Sequence, residues 1–516
     1  MVPHSEPSSS PPSTSILFRT NSVSVPNSPS RSPRRLHTDP RGEHSNNELR
    51  LNVFKRIVVF CDGTWQDGIS ERRAHYTNVL RLARSVNHED ERYHPAIPQV
   101  VFYQSGIGTE SNLYSEYVEG TTGNSLADKV EEAYAFIAHN YCPGDEIFLF
   151  GFSQGAYTVR MVAMFIGEIG VLDRRDMDNF ASIFIGYQKV GACNDPEEKA
   201  RLLAKLGPWR SADARGKQRA DIDNDKFTIK CLGVWDTVGA LGLPAEVTPL
   251  PKKAVQLFGF HDRLLGDHIE AAYQALALNE MRVDFNCTKF IQTEAGRRKN
   301  QTLKQCWFAG AHGDVGGGYK NHDLSDLTLV WMAAQVEHIL FLDMEYLLRV
   351  FQPVAPWGTQ RPHDSRAGIF LLSSKVERSL PTLPRDPETH ETIHASVLMQ
   401  KKLNSPLSKL LEEHPTLVEP LKPLEQSVKE LWPYDPNSPR AKAYSVRLKA
   451  QEAGLVTISK TASWIRTLMR SVSQTSSSSE RGSRSVLYES HTENISVVGN
   501  TSLMKTRSQK ISRKDM

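Results

Sequence analysis

Short runs of consecutive apolar residues alternate along this chain with segments whose apolar positions recur at helical spacing. Arg56-IVVFC before Asp62-Gly63-Thr64, Gln99-VVFYQ before the glycine-bearing Ser105-GIGTE, Glu146-IFLFGF, Phe227-TIKCLGVW and Leu303-KQCWF are apolar almost throughout. Each is bounded by turn-forming residues, the pattern of strands buried on both faces. Between them, TNVLRLARSV from Thr77 has a helical period with Thr77 placed as its N-cap. NSLADKVEEAYAFIAHN (124–140) is amphipathic and is stopped by Cys142-Pro143-Gly144, and a further helix is expected from Gln154 to about Gly167. Strands alternating with helices predict an α/β fold, a mostly parallel sheet covered by helices on both faces, whose sites lie at the carboxyl ends of the strands.

The pattern also divides the chain. Residues 1–52 are dense in Ser and Pro (SEPSSSPPSTS, PNSPSRSPRR) and hold too few apolar groups to offset the entropy of ordering, so a disordered tail is expected. Residues 53–372 form the main domain, with polar or mixed insertions at about 175–225 and 245–300. Residues 373–470 read as a helical or irregular accessory region, and 471–516 as a second disordered, Ser-rich, basic tail. Asp323 or Ser325 is placed to cap the helix that begins DLTLVWMAAQVEHILF.

Composition narrows the function. Sixty-two Lys and Arg against 59 Asp and Glu give a net charge of +3. The first 56 residues carry a net +4 and residues 471–516 a net +3, leaving a body of net −4. That balance argues against nucleic-acid binding, which calls for a basic face. The apolar run from Val159 to Leu172 is too short to span a membrane and contains Arg160 and Glu168. Six cysteines without a CxxC pair suit a reducing compartment, and the N-terminus lacks the form of a signal peptide, so a cytoplasmic location is expected.

Three polar residues stand at predicted strand ends. Gly151-Phe-Ser153-Gln-Gly155 fits G-x-S-x-G with a strand before it and a helix after it. That setting lifts the Ser153 hydroxyl out of a sharp turn and offers the Gln154 N–H to a developing oxyanion. A serine needs a base, and the base an orienting acid. His312 in Trp307-FAGAHGDVGGGY follows a strand directly, with His394 as its rival. Asp236 in Leu232-GVWDTVG ends the strand after the nucleophile helix, with Asp314 as its rival; the order Ser, Asp, His is that of α/β-hydrolases. The Gly63-Thr64-Trp65 loop is placed to supply a second oxyanion donor, or Asp62 closes the strand there in an Asx turn. His312, Asp314, His322, Asp323 and Asp326 lie close in sequence but lack a metal-binding spacing, so no metal or other cofactor is expected.

VVFCDGTW, TNVLRLAR, the segment from Gly120 to Gly155, GVWDTVG and WFAGAHGDVGGGY together resemble, in the same order, the catalytic domain of the type VI secretion phospholipase effectors, over about Arg56 to Phe351. The resemblance implies an α/β-hydrolase with Ser153 as nucleophile, Asp236 as acid and His312 as base, acting on lipid or phospholipid acyl esters. The chain departs from the family at Gln154, where Arg is usual, and at Gly313, where Ser is usual. FCDGTW also resembles the strand end of haloacid-dehalogenase phosphatases, but Phe60 stands where their nucleophilic Asp would be. The expected function is therefore carboxylic ester hydrolysis, with a basic segment from Val446 to Arg470 suited to peripheral membrane contact. The alternative is an inactive hydrolase-fold scaffold whose tails, at Arg19-Thr-Asn-Ser22 and Arg34-Arg-Leu-His-Thr38, bind partners when phosphorylated.

Overall fold

The structure, a computed structural model, describes residues 54–63, 76–106, 124–221, 227–238, 263–366, 375–381 and 386–452. Its centre is a nine-stranded sheet in the order β11-β10-β9-β7-β5-β4-β1-β3-β2. The strands are β1 (Arg56–Cys61), β2 (Glu89–Asp90), β3 (Ile97–Gln104), β4 (Glu146–Phe152), β5 (Ile229–Trp235), β7 (Ile269–Ala277), β9 (Thr302–Phe308), β10 (Glu391–His394) and β11 (Val418–Glu419). Two-residue strands β6 (Leu264–Leu265) and β8 (Ile291–Gln292) pair separately. Every pairing in the main sheet is parallel except that of β2 with β3. This is the α/β arrangement expected.

Successive side chains of β1 enter opposite cores, as the two-residue period of a strand requires. Ile57 and Val59 pack with Leu149 against Tyr134, Ile137, Val159 and Phe165, from the helices Asn124–Asn140 and Gln154–Ile169. Val58 and Phe60 pack with Phe148 and Phe150 against Val79, Leu82, Leu329 and Trp331, from the helices Asn78–Ser85 and Asp323–Val336. Burial on both sides explains why the central strands read as unbroken apolar runs. Thr77 caps the first of these helices through its hydroxyl, which accepts from the Leu80 N–H.

Three expectations need correction. The segment read as an insertion at 245–300 contains β7, which lies between β5 and β9 in the middle of the sheet. Its sequence, IEAAYQALA, is rich in alanine and interrupted by Gln274, so it lacks the β-branched character that marked the other strands. Gln274 is nonetheless fully buried, because it is satisfied by Thr237, by the Thr288 carbonyl and by Gln305. Nor does the sheet end at 372: β10 and β11, from the supposed accessory region, extend it beyond β9. Finally, neither Asp323 nor Ser325 caps the helix Asp323–Val336. His322 holds the cap position without a side-chain bond to the helix backbone, its ring bonding Asp326, and the Asp323 carboxylate instead accepts the Val354 and Ala355 N–H groups. Burial and the neighbouring Asp326 charge push the Asp323 carboxyl up to about 7. All 14 residues of this helix are buried, so it is core on every side. Both tails, and all but the start of the Val446–Arg470 segment, lie outside the described residues.

Candidate active site

Ser153 stands between the end of β4 and the first turn of Gln154–Ile169, at φ 57° and ψ −122°, a conformation costly for any residue with a Cβ. The flanking glycines make the turn sterically feasible. A Cβ on Gly151 would lie 2.5 Å from the Gly155 carbonyl oxygen, and one on Gly155 would lie 2.1 Å from that of Cys61. Strand β1 therefore approaches the helix start as closely as backbone allows. Gly63, just beyond β1, is equally close to the serine: a Cβ there would be 3.0 Å from Ser153 Cβ.

Asp236 follows β5, the neighbour of β4, and also takes a left-handed conformation, at φ 41°. The turn is pinned on both sides. Ser153 N–H donates to the Trp235 carbonyl (3.1 Å), Asp236 N–H to Ala275 (2.8 Å) and Val238 N–H to Ser153 (3.4 Å). His312 follows β9 and opens the short helix His312–Gly316. Its Nδ1 lies 2.6 Å from Asp236 Oδ2. The ring sits against Phe152, the residue preceding the serine, with centroids 4.6 Å apart, and edge-on to Phe285 at 5.1 Å. Gly316 is required beneath that stack, because a Cβ there would come within 2.0 Å of the Phe152 ring. Three strand ends thus bring the nucleophile turn, the imidazole and the carboxylate into one neighbourhood.

The electrostatics follow from burial and pairing. Burial alone would raise the Asp236 carboxyl, but the Arg378 charge and the hydrogen bonds from His312 and Arg378 outweigh it and hold the group well below the usual carboxylate range. Burial lowers the His312 imidazole, opposed by its bond to Asp236. With Nδ1–H donated to the carboxylate, Nε2 is the unprotonated nitrogen and can accept a proton.

The rivals are engaged elsewhere. Asp314 accepts the Ala311 N–H and both the N–H and Nδ1–H of His363. Both ring nitrogens of His394 are occupied, one by Ser396 Oγ at 2.7 Å and the other by Glu425 at 2.9 Å. Of the expected oxyanion donors, Gln154 begins the helix after the serine. The Gly63 N–H is already spent on Asp62 Oδ1 (2.8 Å), in a turn that Thr77 and Tyr103 brace through Asp62 Oδ2. Thr64 and Trp65 lie outside the described residues. The ring of Tyr319 packs on Gly313, where an added Cβ would meet it at 2.7 Å, which accounts for a residue without a side chain at that position.

Two groups at the site carried no sequence signal. Arg378, in a short polar stretch of the C-terminal region, binds both oxygens of Asp236 at 2.5 and 2.9 Å. Glu280 accepts the backbone N–H of His312 (3.2 Å) and pairs with Arg282, whose guanidinium lies over Phe285. Both lie far from the motifs in sequence, and only the fold brings them in. Among the described residues, no group of three or more His, Cys, Asp or Glu side chains is arranged to hold a metal.

The sequence matches the family described as "T6SS, Phospholipase effector Tle1-like, catalytic domain" over residues 55–335, just over half of the chain. The chain belongs to that family. Its fold is accordingly α/β-hydrolase-like. Among curated relatives, the uncharacterized protein YEL023C of Saccharomyces cerevisiae is 29% identical over 203 residues, 37% of this chain and 27% of the yeast protein. Two solved structures are also similar. The Tle1 effector bound to the VgrG spike from the type 6 secretion system is 19% identical, with TM-score 0.29, over 55% of this chain and 56% of that one. An uncharacterized protein from Pseudomonas aeruginosa is 18% identical, with TM-score 0.30, over 59% of this chain and 48% of that one. The chain thus spans about a quarter of the yeast relative and about half of each structure. Its Ser153, Asp236 and His312 all fall inside the matched span, whereas Arg378 falls beyond it.

Proposed function

We propose that this Tle1-like protein is a serine hydrolase of carboxylic esters whose substrates are lipid or phospholipid acyl esters. Ser153 attacks the ester carbonyl while His312 Nε2 takes its proton, and Asp236 holds the imidazole in the required tautomer and stabilises the imidazolium. The Gln154 N–H, at the positive end of its helix, stabilises the tetrahedral oxyanion. His312 then returns the proton to the leaving alcohol, and a water activated by the same nitrogen releases the acyl group. The observation that carries this reading is the 2.6 Å contact between His312 Nδ1 and Asp236 Oδ2, against the ring of Phe152 beside a strained serine.

The acyl-lipid preference rests on family membership. No helix among the described residues is long and apolar enough to cross a membrane. The helix Pro439–Glu452 carries Arg440, Lys442, Arg447 and Lys449 around an exposed Val446, and it leads into the basic segment noted above. A panel of acyl esters and phospholipid vesicles, assayed with wild type and Ser153→Ala, tests the proposal. Serine-dependent release of fatty acid supports it, and undiminished release by the variant overturns it.

A further inference from the structure

The Asp236 carboxylate has more partners than orienting a histidine requires. It accepts His312 Nδ1–H at 2.6 Å and Ala277 N–H at 3.0 Å, and it takes both arms of one guanidinium. That guanidinium, Arg378, also donates to the carbonyls of Ala277 and Phe285, the latter belonging to the residue whose ring abuts His312. The arginine is buried and rides on a strip, 375–381, stitched to the turn after β7 by a bridge between Lys375 and Arg282 and by Val376 N–H donating to Met281. It lies 43 residues beyond the matched family span, in the region the sequence marked as accessory.

We propose that Arg378 is a positioning residue of the hydrolytic site, fixing the plane of the Asp236 carboxylate and balancing its charge so that His312 stays a neutral base. This rests on the serine-hydrolase reading above. A bidentate guanidinium–carboxylate pair fixes the carboxylate plane, and a plane fixed at Asp236 fixes the direction in which His312 presents Nε2. The charge balance follows as well. The charged groups that act on the imidazole are Asp236 after β5 and Glu280 and Arg282 after β7, with Arg378 across Asp236. Two cations thus stand among two carboxylates. Without Arg378, the first proton taken up by the coupled Asp236–His312 pair is held more tightly, whichever partner carries it. The site then becomes inactive at a higher pH.

The test uses the full chain and a fluorophosphonate probe, with the rate of Ser153 labelling measured against pH and folding followed by far-ultraviolet circular dichroism. Arg378→Gln should move the acidic limb of the profile up by about one pH unit or more, the effect of a full charge at a few ångströms in a medium of effective dielectric near 20. Arg378→Lys keeps the charge but loses the fork, so it should slow labelling at the plateau while leaving the limb within a few tenths of a unit of wild type. If Arg378→Gln does not fold, the lysine variant alone decides: a displaced limb or an unchanged plateau overturns the proposal. A folded Arg378→Gln with the wild-type profile also overturns it while leaving the hydrolase reading intact. Wild type that neither labels at Ser153 nor cleaves esters overturns both.

Discussion

Replacing Asp236 by Asn separates the catalytic account from a purely structural one. The side chain keeps its size, but one of two oxygens that together accept four hydrogen bonds becomes an NH2 group. In either orientation that group faces a guanidinium N–H, together with the Ala277 N–H or the His312 Nδ1–H, so two donors are opposed by a donor. Arg378 is left buried without its counter-charge, and breaking a buried ion pair from one side costs about 3–5 kcal/mol of stability. Losing the carboxylate also frees the imidazole to take the other tautomer. In the serine-protease triad the same substitution lowers turnover roughly 10⁴-fold, or about 5.5 kcal/mol of barrier. The two losses can be separated by adding Arg378→Met, which removes the stranded cation. The double variant should regain most of the stability in urea unfolding while remaining as slow as Asp236→Asn in fluorophosphonate labelling. A single variant that labels within tenfold of wild type would refute the assignment of Asp236. A double variant that regains rate together with stability would show that the carboxylate serves packing alone.

Other outcomes follow from the same geometry. Ser153→Gly should lose all labelling yet be at least as stable as Ser153→Ala, because glycine accepts φ 57° without the strain that any Cβ incurs; a higher urea midpoint for the alanine variant would contradict the strained turn. Gly155→Ala should cost about 1–3 kcal/mol and slow labelling, since its methyl would meet the Cys61 carbonyl at 2.1 Å and push β1 from the helix start; a neutral effect in both assays would contradict that packing. His268 donates to the Ala163 carbonyl, and burial lowers its imidazole to about 4. Because the unfolded chain takes up this proton first, the stabilisation is complete above about pH 6.5 and declines by about 1–3 kcal/mol as pH falls toward 4. His268→Gln should flatten urea-unfolding stability across that window, and an unchanged slope would exclude His268 as the cause.

The readability of the chain followed burial and chain locality. Strands β1, β4, β5 and β9 lie where helices cover both faces, and their continuous apolar runs announced them. Strand β7 is as central, but its alanines and the fully buried Gln274 disguise it; the amide is tolerated only through Thr237, Thr288 and Gln305, which no local window contains. The four-residue β10 draws its place from Glu391, which accepts the indole N–H of Trp307 on β9, a long-range bond invisible to periodicity. At the site, Ser153, Asp236 and His312 were legible because each ends a strand beside a motif of small residues. Arg378 and Glu280 were not, since a lone arginine or glutamate in a polar stretch carries no pattern until the fold delivers it. At the end of β1 the Asp62 carboxylate takes the adjacent Gly63 N–H for itself, whereas an Asx turn would use the N–H of Thr64, which lies outside the described residues.

Mass-spectrometric mapping of a fluorophosphonate adduct decides which serine is the nucleophile. The protein holds a second serine–histidine–carboxylate arrangement, Ser396–His394–Glu425, buried beneath Trp357 and Phe308. Stoichiometric modification of Ser153 is expected, abolished by His312→Ala and untouched by His394→Gln. An adduct at Ser396, or no adduct on the folded protein, would contradict it.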